Sequence, residues 1–372
     1  MKKPCEPDSL PLTDLDWKTL LNPLSEAMGA IARYDGLLLA LPNPSVLLSP
    51  ITANEAVLSS RIEGTQATLE EVLQQDAGID QGSEFKRDEI FEVLNYRKAL
   101  SLAEDASSER PLSLSFVRQL HTYLLTGVRG AEKTPGEFRK DQNWIGRPGC
   151  SMDQARFIPP SPLRLLDLLE NWETYLNGTT DHPVLHVAVT HAQFEILHPF
   201  KDGNGRIGRI LIPLLFYRRG VLHRPMFYLS EFLEANRPLY YDRLLGITKD
   251  GDWFSWILFF ANAVKEQAEA NFNRARAIFQ LYGELKPQFQ EATSSKFAIN
   301  AQDAFFISPV INATKFQKLA NIDNRVTVNS ILKSLTDAGL IERIRESAGR
   351  KPAVYALRTL LEVAEGRPVR FV

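Results

Sequence analysis

Apolar residues return at every third or fourth position along most of this chain, and runs of strict alternation are scarce. That spacing lines up side chains on one face of an α-helix, whereas a half-buried strand needs a period of two, so the chain reads as mainly α. Helices are predicted over 17–41, 53–63, 69–75, 87–103, 115–125, 163–177, 183–197, 205–219, 239–247 and 253–280. Pro23 is expected to interrupt the first, and Pro42-Asn43-Pro44 ends it. Gly64 reads as a left-handed C-cap, and Thr68 with Glu71 has the spacing of a capping box at the next helix start. The polar segment 77–83 reads as a loop.

Two places break the pattern. Between Gly136 and Pro162, the β-prone runs 143–149 and 155–160 surround a Gly/Pro turn, which predicts a hairpin or flap. Beyond Phe305, two short helices (314–319 and 325–338) precede two strand-like runs (340–344 and 353–357), the order of a winged helix. The expected organisation is an N-terminal helical region over 1–110, a core over 111–285 and a winged helix over 290–372.

Composition removes several classes. With 372 residues, 44% of them hydrophobic and 24% charged, the chain is neither disordered nor fibrous. Its richest apolar window, 207–217, is short and broken by Arg209 and Pro213, so no membrane span or membrane partner is expected. The N-terminus has two lysines but no apolar signal core, and a cytoplasmic location is the expectation. Cys5 and Cys150 are too few for a disulfide framework and read as ordinary thiols. A formal charge of -2 gives the bulk no attraction for nucleic acid, so any such contact needs a local patch.

The segment that carries chemistry is His198-Pro-Phe-Lys-Asp-Gly-Asn-Gly-Arg-Ile-Gly-Arg209. Pro199 biases His198 away from helical geometry, which places the imidazole at a helix end facing a loop. Gly203, Asn204 and Gly205 permit a tight turn whose amides precede a new helix, an arrangement suited to anions. Arg206 and Arg209 lie three apart on one face, within reach of further phosphate oxygens. Asp202 beside such a cradle is a natural Mg²⁺ ligand. A Gly-Asn-Gly turn alone would be an ordinary helix connection; base, acid, glycines and two arginines in one segment point to a nucleotide site with a general base.

This segment resembles the signature of the Fic family (filamentation induced by cyclic AMP), His-Pro-Phe-x-Asp/Glu-Gly-Asn-Gly-Arg-x-x-Arg, and matches it completely. Phe194-Glu195, Gly136 with Arg139, and Ile158-Pro-Pro160 look like the same family, and the likeness covers roughly 111–270. It implies a helical fold and transfer of AMP from ATP, with Mg²⁺, to a hydroxyl of a target protein. By position, His198 would deprotonate the target Ser, Thr or Tyr, and Asp202 would hold Mg²⁺. Gly203, Asn204, Gly205 and Arg206 would bind phosphates, and Arg209 the γ-phosphate. Tyr240 and Tyr241 resemble part of the adenine pocket; on residues alone they are equally core or interfacial aromatics. The hairpin looks like the family flap that aligns the target by strand addition, with Gln154, Ala155, Arg156 and Phe157 nearest the nucleotide.

Upstream, Ser59 and Glu63 are four apart on one helix face, and Glu63 precedes Gly64 at a helix C-terminus, where a carboxylate benefits from a cation. The segment resembles the family's inhibitory motif, Ser/Thr-x-x-x-Glu-Gly/Asn, whose glutamate pairs with the second signature arginine, here Arg209. His182, His186 and His191 lack a His-Glu-x-x-His arrangement and read as packing or surface residues rather than zinc ligands.

Residues 312–358 hold nine Lys/Arg against four acids, a local excess of five. Arg325, Thr327 and Asn329 lie early on the second winged-helix helix, and Arg350-Lys351 in the wing, where DNA would be met. The same surface could instead dock a protein or form a homodimer. Three functions therefore stand open: a restrained adenylyltransferase, a DNA-binding regulator with a nucleotide-sensing core, and an enzyme that removes AMP from a modified protein.

Overall fold

The computed structural model describes every residue except 1, 14, 81, 107–110, 129–131, 148, 179–180 and 368–372. Gln81 and Pro148, which the loop and hairpin expectations include, lie outside the described residues. In order, the elements are α1 (Trp17–Ala40), α2 (Pro44–Leu47), α3 (Ser49–Ile62), α4 (Leu69–Asp76), α5 (Glu84–Ala106), α6 (Leu114–Leu124), α7 (Leu165–Leu176), α8 (Pro183–Leu197), α9 (Asn204–Arg218), α10 (Ser230–Ala235), α11 (Arg237–Asp250), α12 (Trp253–Thr293), α13 (Ala298–Ile307), β1 (Val310–Asn312), α14 (Ala313–Leu319), α15 (Arg325–Asp337), β2 (Glu342–Arg345), β3 (Val354–Ala356) and α16 (Arg358–Ala364). The chain divides into two compact units, one of residues 1–35, 58–64 and 94–269, the other of 36–57, 65–93 and 270–372.

The first unit is organised around α8 and α9. Almost every side chain of α8 is buried, so the helix is apolar all round and takes the central position such a helix requires. Trp172 of α7 and Trp256 of α12 are buried against it and donate their indole N–H groups to the Thr190 and Ala188 carbonyls, both at 2.9 Å. Their polar atoms are thereby satisfied without water.

The second unit holds the winged helix. Its sheet has the order β1-β3-β2, antiparallel throughout, with Val310 opposite Ala356 and Glu342 opposite Ala356 on the other side. Phe289, Phe305, Phe316, Leu332, Val354 and Leu360 form its core. The capping box at α4 is present, with Thr68 accepting the Glu71 N–H and Glu71 accepting the Thr68 N–H.

Several expectations are corrected. Pro23 does not interrupt α1. A mid-helix proline costs about 3 kcal/mol, but Leu20, Leu24, Ala27, Ile31 and Tyr34 are all buried on one stripe, and each large apolar side chain returns about 1.5–3 kcal/mol. For the same reason α12 runs through Pro287 to Thr293, with Ile278, Leu281, Leu285 and Phe289 continuing its buried stripe. The elements α2, α10, α13, β1 and α16 are additional to those expected. Among its described residues the flap has a single antiparallel bridge, Ile145 to Phe157, rather than two strands, and Met152–Gln154 form a 3₁₀ turn within it.

Candidate active site

His198 terminates α8 in the left-handed region, φ 45° and ψ 59°, which a residue with a Cβ rarely occupies. Its N–H donates to Phe194 O at 3.0 Å, and its carbonyl accepts Arg139 Nε at 3.0 Å. The Arg139 guanidinium also reaches Pro160 O at 2.6 Å and Leu197 O at 3.3 Å, and its backbone N–H donates to Pro199 O at 2.9 Å. A buried cation thus holds the negative end of α8 and the turn carrying the imidazole. Burial pushes the His198 ring down to about 4, against the opposing field of Glu63, so it is neutral at pH 7.

The turn that follows is closed by Asn204. Its Oδ1 accepts the Phe200 N–H at 2.8 Å and its Nδ2 donates to Phe200 O at 2.9 Å. The amide side chain is therefore spent on the loop, and what Asn204 can offer a phosphate is its backbone N–H. Gly203, at φ 78°, supplies the left-handed step before α9. Asp202 Oδ1 accepts the Gly203 N–H at 2.6 Å and meets Arg206 at 3.3 Å. Both contacts fall on one oxygen, and the side chain is 42% exposed, so a carboxylate oxygen remains for a ligand. No three His, Cys, Asp or Glu side chains converge as a metal cage among the described residues. A single carboxylate fits Mg²⁺, which keeps waters and takes its remaining ligands from substrate phosphates.

His121 is a part of this site that sequence reasoning missed. Its Nδ1 accepts the Gly136 N–H at 2.8 Å, which makes Nε2 the protonated nitrogen that donates to Asp202 O at 2.9 Å. The ring stacks on Phe200 at 3.8 Å, is fully buried, and is pushed down to about 4 by that burial. No motif spacing marks it; its only sequence signal is a histidine on the apolar face of a predicted helix.

Arg209 is fully enclosed. Its Nε donates to Ser59 Oγ at 2.8 Å, and its NH2 group to Ser59 O at 2.9 Å and Glu63 Oε1 at 2.7 Å. Burial raises the Glu63 carboxyl, but the Arg209, Arg206 and His198 side chains outweigh it and hold the group below the ordinary range. Gly205 lies against this pair, and a Cβ there would collide with the Glu63 carboxylate. Glu195, one turn before His198, is pushed up to about 8 by burial and the Glu63 charge, against the opposing field of Arg209.

Of the other residues singled out, Tyr240 is interior, 1% exposed, with its hydroxyl 3.0 Å from His191 Nε2 and its ring among Trp256 and Phe259. Tyr241 is half-buried, with the Arg156 and Arg237 guanidinium groups 6.0 and 5.8 Å from its ring centre. Arg156 also pairs with Asp242 at 2.6 Å, which ties the flap to α11. Ala155 is buried and Gln154 exposed, while Phe157 makes the flap bridge. His182 caps α8, accepting the Val184 N–H, and His186 Nε2 is 2.9 Å from Tyr175 O, so these histidines are engaged by protein partners. Both cysteines are free, and burial pushes the Cys5 thiol up to about 12.

Residues 21–105 match the Fic/DOC family N-terminal segment and residues 111–216 the Fic/DOC family. The chain is 29% identical over 212 residues to the protein adenylyltransferase Fic of Drosophila sechellia and, equally, of Drosophila melanogaster. That alignment covers 55% of this chain and 39% of those relatives, so the chain spans about two fifths of their length. In fold it is similar to a Fic family protein from Desulfovibrio desulfuricans G20, with a TM-score of 0.58 and 21% identity over 95% of this chain and 98% of that one. Fic-1 from C. elegans superposes with a TM-score of 0.51 and 19% identity, over 71% and 74%. The two matched segments span just over half of the chain, the signature lies complete within the second, and the chain belongs to the Fic/DOC family.

Proposed function

We propose that this chain is a protein adenylyltransferase that transfers AMP from ATP to a Ser, Thr or Tyr hydroxyl of another protein and is restrained by Glu63. The observation that carries the reading is the single turn 198–205, which joins an imidazole neutral at pH 7 to the glycine-fronted start of α9. In it, His198 takes the hydroxyl proton as the target oxygen bonds to the α-phosphorus. The bond from that phosphorus to the β-bridging oxygen breaks, and pyrophosphate leaves. The amides of Gly203, Asn204 and Gly205, with Arg206, cradle phosphates, and Arg209 takes the γ-phosphate once freed from Glu63. Asp202 would hold Mg²⁺, which neutralises phosphate charge when bound. Tyr241, backed by Tyr240, offers the adenine a ring face, and the flap with residues 154–157 orders the target backbone.

The test uses ATP labelled at the α-phosphate, Mg²⁺ and a cytoplasmic extract. Label on protein should rise in Glu63→Gly and vanish in His198→Ala; no label in any variant that still binds ATP overturns the reading. One observation favours the reverse reaction as a second reading: the ionised Glu63 side chain is 35% exposed and can position a water. Release of AMP from a modified protein by wild type but not by Glu63→Gly would select it.

A further inference from the structure

We infer that the winged helix binds duplex DNA, with α15 in the major groove and the turn between β2 and β3 on the neighbouring backbone. The inference is independent of the transfer reaction. Within 312–358, ion pairs separate some basic residues from others. Lys315 is held by Asp76, Arg343 by Glu346, and Arg358 by Glu70 and Glu342, which also neutralises the acids beside the sheet. Among the described residues, Arg325, Lys333, Arg350 and Lys351 carry no ion pair and are exposed. Lys318 on α14 is likewise exposed and without an ion pair, so four of the five exposed, unneutralised bases of 312–358 lie on α15 and the wing.

Their placement is that of a groove reader. Val328, Ile331, Leu332 and Leu335 bury one face of α15, and Arg325, Asn329 and Lys333 recur at four-residue spacing away from that face. Asn324 caps the helix through the Val326 N–H at 2.8 Å, which holds its first turn in place. Val326 in that turn is 75% exposed, an apolar side chain without packing that suits a thymine methyl, while Asn329 suits an adenine edge. The wing tip is closed by a reciprocal bridge, Ala348 N–H to Lys351 O at 3.0 Å and Lys351 N–H to Ala348 O at 2.9 Å, which presents Arg350 and Lys351 together. Two further acids, Asp323 and Asp337, stand outside the 325–333 stretch, at either end of the helix. With a whole-chain charge of -2, attraction to DNA must come from such a patch.

The test measures anisotropy of a labelled random-sequence duplex pool with the full chain. With about four phosphate contacts, affinity should fall roughly a hundredfold between 50 and 200 mM salt. Arg325→Ala/Lys333→Ala and Arg350→Ala/Lys351→Ala should each flatten the salt slope by about two, whereas Asn329→Ala should change the sequence selected from the pool and leave the slope. All three lie outside the transfer machinery, so adenylyl transfer should be unchanged and the two activities are scored separately. Absence of binding at 50 mM salt, a slope indifferent to both double variants that retain wild-type circular dichroism, or preference for single-stranded nucleic acid or anionic vesicles overturns the proposal.

Discussion

Arg209 and Glu63 lie 2.7 Å apart, and the arginine's Nε is taken by Ser59 at 2.8 Å, so the second arginine of the signature is occupied on two sides by α3 and the turn after it. A triphosphate that needs this guanidinium must first displace the carboxylate. A hydrogen bond between charged groups contributes about 1.5–3 kcal/mol, which corresponds to a ten- to hundredfold bias toward the restrained state. Glu63→Gly should therefore raise AMP incorporation by about that factor. Ser59→Ala leaves the carboxylate in place and should raise it only a few fold. Equal activity of Glu63→Gly and wild type would show that the pair does not restrain the enzyme.

The pH profile follows from the same geometry. In the proposed transfer His198 accepts a proton and must be unprotonated; its burial holds it at about 4, so kcat/KM should stay level through pH 6.5 and fall only toward pH 4. The Glu63 charge raises the imidazole, so in Glu63→Gly the acid limb moves lower. An acid limb near pH 6.5, or one that moves up in Glu63→Gly, would contradict the buried base. His198→Ala should abolish transfer while ATP binding, followed by calorimetry, is retained.

Much of this was legible in the residues because the determinants are local. Pro199 ends α8, Gly203 opens α9, and Thr68 with Glu71 caps α4, each within four positions. What escaped has a physical reason in each case. The α13 sequence is apolar nearly all round, so it shows no helical period, and β1 is only three residues long and exists because β3 pairs with it. In the site, the side-chain role of Asn204 and the interior position of Tyr240 depend on contacts with Phe200 and His191 that no spacing rule encodes. His121 is the extreme case, since its partners stand 15 and 81 residues away.

That histidine gives a prediction of its own. It joins the Gly136 amide to the Asp202 carbonyl, so His121→Phe keeps the stack on Phe200 but leaves both backbone groups without their bond. The expected cost is about 1–3 kcal/mol for a stranded buried group. In the proposed reaction the Asp202 loop would carry the phosphate and Mg²⁺ groups, so KM for ATP should rise more than kcat falls. A loss of stability with KM unchanged would reduce His121 to a packing role.

Arg139 tests how the left-handed turn at His198 is maintained. One guanidinium serves four carbonyls, those of Asp141, Pro160, Leu197 and His198, and does so 3% exposed to solvent. Lysine can place a charge there but cannot reproduce the planar fork. Arg139→Lys should therefore lose about 2–3 kcal/mol from stranded acceptors, a fall in Tm of roughly 4–12 °C for a unit of this size. The kinetic signature should differ from that of His121. With α8 no longer held at its end, the imidazole loses its fixed direction, so kcat should drop at least tenfold with KM for ATP little altered. Because the cationic Arg139 itself depresses His198, and lysine retains that charge, the acid limb of kcat/KM should stay low in Arg139→Lys and rise in Arg139→Ala. If both variants shift the limb alike, the arginine acts on the imidazole through geometry and not through its field.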